Sequence, residues 1–218
     1  AEDPDRSPRL RRFEELSRNL GAALVGGFIE RAGDRLYNAA FIIENGALLG
    51  VYRKVHLFGD EPKFFSPGDH GFPVFDLVGG QLRVGVMICF DWVFPEAARS
   101  LTLGGADLIA HPANLVLPYA QGAMPLRSLE NGVYSVTANR IGIDRRLRFT
   151  GASQICDPKG AILTRASEDR AAIISADIDV ALARDKWMTR EQKNHRLDDR
   201  RPDQYRTKPT TPTKKRRN

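Results

Sequence analysis

Apolar residues recur at two different spacings along this chain, and the switches between them mark its elements. Leu10, Phe13, Leu16 and Leu20 fall at helical spacing, and Gly21 stands where such a helix would stop. From Ala22 to Ile29 the pattern is that of a buried strand. The runs Leu36 to Ile43 and Ala47 to Tyr52 flank Glu44-Asn45-Gly46, and an Asn-Gly step between two such runs predicts a hairpin. The stretch from His56 to Phe72 carries Asp60, Glu61, Pro62, Pro67 and Gly68 with no sustained period, which predicts a long loop. Loops of that length in a compact domain are usually functional or disordered. Pro73 to Leu77 reads as a short strand.

The segment Val84 to Ile88 is apolar apart from Gly85 and follows the turn signal Gly79-Gly80, so it reads as a fully buried strand. It runs into Cys89 and then Phe90-Asp91-Trp92. Pro95 to Arg99 opens a helix with proline where a first turn tolerates it, and Gly104-Gly105 ends it. Asp107 to Ala110 is a strand leading to His111-Pro112-Ala113-Asn114. Gln121 to Asn131 reads as a helix despite Pro125, and Val133 to Ala138 as the next strand. Ser153 to Cys156 and Ala161 to Thr164 form a second hairpin around Asp157-Pro158-Lys159-Gly160. Ala172 to Ile178 is a further strand, Val180 to Lys186 a short helix, and from Trp187 the chain is polar, charged and extended. Strands in both hairpin and crossover arrangements predict a mixed α/β (α+β) domain over residues 1–205.

Composition narrows the function classes. The net charge is +6, but Arg206, Lys208, Lys214, Lys215, Arg216 and Arg217 lie in a tail without acids, and the remainder of the chain is balanced. A tail of that kind, residues 206–218, is expected to be solvated and disordered. No nucleic-acid partner is therefore expected for the globular body. No apolar run approaches membrane length, so no membrane partner is expected either. Two cysteines, Cys89 and Cys156, make no disulfide framework and fit a reducing, cytoplasmic setting.

Cys89 is the candidate with chemistry. A cysteine where a buried strand turns into a helix meets converging backbone N–H groups and a helix dipole that favour a thiolate. The same residue also reads as a small buried hydrophobe, the common fate of a free cysteine. Cys156, before a turn, reads as structural.

Five blocks of sequence extend the picture: YRKVHLFGDEPKFFSPGD at Tyr52–Asp69, VGVMICFDWVFPEAAR at Val84–Arg99, HPANLVLP at His111–Pro118, LENGVYSVTANRIG at Leu129–Gly142 and DDRRPDQY at Asp198–Tyr205. In this order they make the chain, from about Leu10 to Tyr205, resemble the nitrilase (carbon–nitrogen hydrolase) superfamily. The resemblance implies a four-layer αββα sandwich and a Glu-Lys-Cys triad. In that pattern Cys89 is the nucleophile, Lys54 the triad lysine and Glu61 a second glutamate near the cysteine. The Phe90 backbone N–H donates to the developing negative charge, and Asn114 belongs to substrate binding. Attack on an amide or nitrile carbon needs a thiolate, a cation beside it and donors for the oxyanion, which these residue types supply. Plainer readings stand beside these roles. Lys54 reads equally as a solvated strand end, Glu61 as a partner of Lys63 or a loop cap, Asn114 as a turn bond, and His56 and His111 as structural.

The triad glutamate of the pattern matches no residue here, since Glu2, Glu14 and Glu15 do not follow an apolar strand. The resemblance thus leads to the expectation of an N-terminally incomplete domain, lacking the first strand, first helix and glutamate strand. It further implies a nitrile, linear amide or N-carbamoyl substrate, and no metal, nucleotide or organic cofactor. A homodimer is also implied, with Trp187 to Tyr205 as an arm.

Overall fold

A computed structural model describes residues 1–208 of the chain. The described chain divides into two compact units, the first being Ala1–Asp185 and the second beginning at Lys186. Helix α1 (Pro8–Leu20) begins where the Ser7 Oγ accepts the Leu10 N–H at 3.0 Å, and it ends at Gly21 in the left-handed conformation, φ 59°. It lies on an antiparallel sheet of β1 (Leu24–Ala32), β2 (Arg35–Glu44) and β3 (Ala47–Arg53), in that spatial order. Successive strand side chains point to opposite faces. Along β2, Phe41 and Ile43 pack with Leu10 of α1, while Ala40 and Ile42 pack on the other side with Tyr52 of β3.

The second sheet has six strands. In chain order they are β4 (Val74–Leu77), β5 (Leu82–Val86), β6 (Leu108–Ala113), β7 (Tyr134–Asn139), β10 (Gln154–Cys156) and β11 (Ile162–Arg165), with a two-residue hairpin of β8 (Ile143–Asp144) and β9 (Leu147–Arg148) between β7 and β10. Their spatial order is β11-β10-β7-β6-β5-β4. Strands β5, β6 and β7 are parallel, and helices α2 (Pro95–Leu103) and α3 (Ala120–Asn131) make the crossovers between them. Val84, Val86 and Ile88 join Ala40, Ile42 and Tyr52 in one apolar seam between the sheets. Met87 and Ile109 join Ala97, Leu101 and Met124 in another, under α2 and α3. Three seams separate four layers, helix, sheet, sheet and helices, so the αββα sandwich is present. Gly85 lets α2 approach closely: a Cβ there would sit 2.7 Å from Leu101 Cδ2.

One predicted strand is not formed. Ala172 to Ile178 runs without strand pairing, and Ile173 is fully exposed. Its alternate residues Ile174, Ala176 and Ile178 are half-buried, so the period-2 pattern is real, but a strand requires a laterally paired neighbour and none of the described strands pairs with it. Helix α4 (Val180–Arg184) follows, capped by Asp179, whose Oδ1 accepts the Ala181 N–H at 2.9 Å. Within the second unit, β12 (Trp187–Thr189) pairs with β13 (Asn194–His195), in place of a wholly extended chain. Among the described residues no helix is long and apolar enough to cross a membrane. Most of the 206–218 tail lies outside the described residues.

Candidate active site

The parallel strands β5, β6 and β7 end on one edge of the six-stranded sheet, the place where α/β sheets present ligand sites. Beyond β5 the chain turns at Cys89, whose φ is 45°. A non-glycine residue in this region costs on the order of 1–3 kcal/mol and needs surrounding structure to hold it there. The short helical turn Cys89–Val93 follows, with the Asp91 N–H donating to the Ile88 carbonyl at 3.1 Å. From β6, the buried His111 donates its Nε2–H to the Cys89 carbonyl at 2.9 Å, and its Nδ1 accepts from Thr137 Oγ1 at 3.1 Å. Burial lowers the His111 pKa, and the neutral ring is the form that fits these two partners.

The Cys89 sulfur receives backbone N–H groups from Asn114 and Phe90. Burial pushes its thiol up from the ordinary value, and the Lys54 charge is the strongest effect opposing that rise. Lys54 stands one residue beyond β3, so the two sheets of the sandwich each supply one member of the pair. Its side chain is wholly buried rather than solvated, with Nζ 2.7 Å from Glu61 Oε2. Glu61 sits in a short turn of the long loop, Glu61–Lys63. Besides Lys54, it accepts the Phe58 N–H at 2.7 Å on Oε2 and Asn38 Nδ2 at 3.0 Å on Oε1. Lys63, the alternative partner, pairs with Asp60. Cys89, Glu61, Asn38 and Asn114 line one cleft of about 990 Å³, whose walls include Phe28, Phe65 and Phe149. A second, small cavity of about 20 Å³ lies beside Cys89 among Phe58, Phe90, Trp92 and Val116. That volume accommodates about one water-sized group.

Cys89, Lys54, Glu61, Phe90 and Asn114 therefore meet at one place, the last two through their backbone N–H groups. Cys156 is buried in β10, away from this cleft lining. Three contributors escaped sequence reasoning. Asn38 holds Glu61 and is the polar interruption of the apolar run Leu36 to Ile43. Tyr52 gives its O–H to Asp91, and Asp91 gathers donors beneath the cysteine turn. The signal for Asp91 was an acid set between Phe90 and Trp92 directly after a buried strand.

The chain is similar to known proteins over most of its length. The family model for carbon-nitrogen hydrolase matches residues 2–186. A nitrilase of Pyrococcus abyssi is 51% identical over 191 residues, covering 88% of this chain and 71% of that relative. An N-carbamoylputrescine amidase of Arabidopsis thaliana is 34% identical over 221 residues, covering 91% of this chain and 72% of that protein. Among solved structures, an amidase variant from Nesterenkonia sp., showing covalent addition of the acetamide moiety of fluoroacetamide at its active site cysteine, superposes with a TM-score of 0.67 at 30% identity. The match covers 73% of this chain and 62% of that one, so the chain spans less than two thirds of that structure. With a four-layer sandwich, a cysteine turn facing a buried lysine and its glutamate partner, and a family match from residue 2 to residue 186, the chain belongs to the carbon–nitrogen hydrolase family.

Proposed function

We propose that the chain hydrolyses a non-peptide carbon–nitrogen bond in a small nitrile, linear amide or N-carbamoyl compound through a thioester on Cys89. For an amide, the Cys89 sulfur attacks the carbonyl carbon, and its proton passes to the nitrogen that leaves. The oxyanion is held by the Lys54 ammonium and the Phe90 N–H, the carbon–nitrogen bond breaks, and ammonia or an amine departs. Water then attacks the thioester carbon and releases the carboxylic acid. The observation that carries this reading is the convergence on Cys89 of a strained turn, two backbone N–H donors and the buried Lys54 with its half-buried partner Glu61. Covalent capture at the cysteine of the Nesterenkonia amidase supports it.

A second reading, a chain that captures substrate but turns it over slowly, draws on two observations. The thiol is pushed up by burial, and both Glu61 oxygens are already occupied by donors. Mass spectrometry after mixing with an activated ester separates the two readings. Under the first, an acyl adduct forms on Cys89 and disappears as acid is released. Under the second, the adduct accumulates and persists. An adduct on any residue other than Cys89, or equal iodoacetamide labelling of Cys89 and Cys156 in the native protein, overturns both. The reading also includes a homodimer in a reducing, cytoplasmic compartment, supported by two free cysteines and by exposed Trp187, Met188 and Tyr205 in the second unit. Light scattering at micromolar concentration checks the dimer.

A further inference from the structure

We propose that Asp91 is a positioning residue for this reaction, its carboxylate binding the nucleophile turn of one sheet to the lysine strand of the other. Asp91 is completely buried. Its Oδ2 accepts the Ile88 N–H at 2.9 Å and the Tyr52 O–H at 2.7 Å. Its Oδ1 accepts the His56 backbone N–H at 3.1 Å and, at 2.8 Å, the His56 Nδ1–H. Ile88 immediately precedes Cys89, while Tyr52 and His56 stand two residues before and two residues after Lys54. One carboxylate thus grips the residue next to the nucleophile and both flanks of the lysine.

The geometry around it is over-determined in a way that plain packing does not require. Tyr52 Oη, while donating to Asp91, accepts the Val55 N–H at 3.3 Å, which closes the backbone around Lys54. Burial first, and then the charge of Asp91, push the Tyr52 hydroxyl well above its ordinary pKa, so it keeps the proton it donates. The His56 ring is stacked on Phe94 with centroids 3.6 Å apart, and Phe94 meets Phe90, the residue whose N–H reaches the Cys89 sulfur, edge to face at 5.5 Å. None of the Asp91 carboxylate's hydrogen bonds goes to the sulfur or to Lys54 Nζ. Its effect passes through backbone position: if it lets go, the φ of 45° at Cys89 relaxes and Lys54 is no longer aimed at the sulfur. Four donors converge on it, and only a group with two acceptor oxygens satisfies them all.

Asp91→Asn offers one acceptor oxygen and one NH₂ group, so one pair of donors faces a donor. Tyr52→Phe removes one donor from Asp91 and the acceptor of the Val55 N–H, and preserves the ring. The rate of Cys89 alkylation by iodoacetamide, followed by peptide mass across pH 6 to 10, reports thiolate formation without requiring turnover. With Lys54 displaced, the titration midpoint should rise and labelling at pH 7.5 should slow about tenfold in Asp91→Asn and about threefold in Tyr52→Phe. Ser128→Ala, which deletes a buried hydrogen bond of 2.8 Å to Ser135 outside the site, is the stability control and should leave the profile unchanged. A folded Asp91→Asn protein that labels with the wild-type rate and midpoint overturns the proposal. Should that variant not fold, an unchanged profile in Tyr52→Phe overturns it equally. The proposal rests on Cys89 being the nucleophile. Failure of that premise is seen separately, as acylation of another residue in the wild type.

Discussion

Glu61 receives three donors on two oxygens, and that geometry makes it a holder of Lys54 before anything else. Glu61→Gln retains size but leaves at least one of those donors facing an NH₂ group. The expected result is a fall of about 100-fold in the acylation rate with an activated ester, with the circular dichroism spectrum unchanged. The thiol itself gives a pH prediction. Because burial raises the Cys89 pKa, the thiolate fraction is small at neutral pH and grows about tenfold per unit below that pKa. Acylation should therefore climb with pH above 7. Lys54→Met, which removes the largest opposing effect, should shift the climb to higher pH in a stopped-flow profile. Lys54 and Cys89 were legible as residue types in recognisable blocks. That the lysine would be wholly buried was not, since burial depends on what the second sheet lays over the end of β3.

At the scale of elements, the loop from His56 to Phe72 decides whether Lys54 and Glu61 meet. Gly68 fastens it: its N–H donates to the Lys54 carbonyl at 2.9 Å, and a Cβ there would lie 2.1 Å from the Arg53 carbonyl oxygen. Both contacts are backbone, so Gly68→Ala must displace the end of β3. A loss of about 1–3 kcal/mol in urea denaturation is expected, together with slower Cys89 acylation. Gly122→Ala is the contrasting change. A Cβ at Gly122 meets nothing within 4 Å, and Gly122 lies inside α3, so replacement should stabilise by about 0.5–1 kcal/mol and leave acylation untouched. Helix α1 and the β2–β3 hairpin were legible because their signals are local: a spacing, a cap, an Asn-Gly turn. The segment Ala172 to Ile178 has an equally local strand pattern but forms no strand, because pairing is supplied by a neighbour and not by the segment.

The whole molecule has a pH dependence of its own through His111. Burial lowers the folded-state pKa of His111, while in the unfolded chain it titrates near ~6.5. Between those two values the unfolded state binds more protons. The contribution to stability is therefore full above about pH 6.5 and is lost as pH falls towards the folded pKa. The urea midpoint should decline below pH 6.5, and His111→Gln should show a shallower decline over the same window. The His111 link between the β6 strand and the Cys89 carbonyl makes the loss visible at the site, as slower alkylation at low pH than the thiol alone would give.

The elements from α1 to β7, the turn at Cys89 and the blocks around Lys54, Cys89 and Asn114 were determined by sequence alone, because periodicity, turn chemistry and motif spacing are properties of neighbours along the chain. The hub at Asp91, the grip of Asn38 on Glu61 and the use of Asn114 through its N–H were decided only by the tertiary structure. Each joins residues 23 to 39 positions apart, or a backbone group whose direction is set by the strand end that carries it. A buried acceptor must find its donors in whatever the folded layers bring within about 3 Å, and no local pattern encodes which residue of the opposite sheet that is.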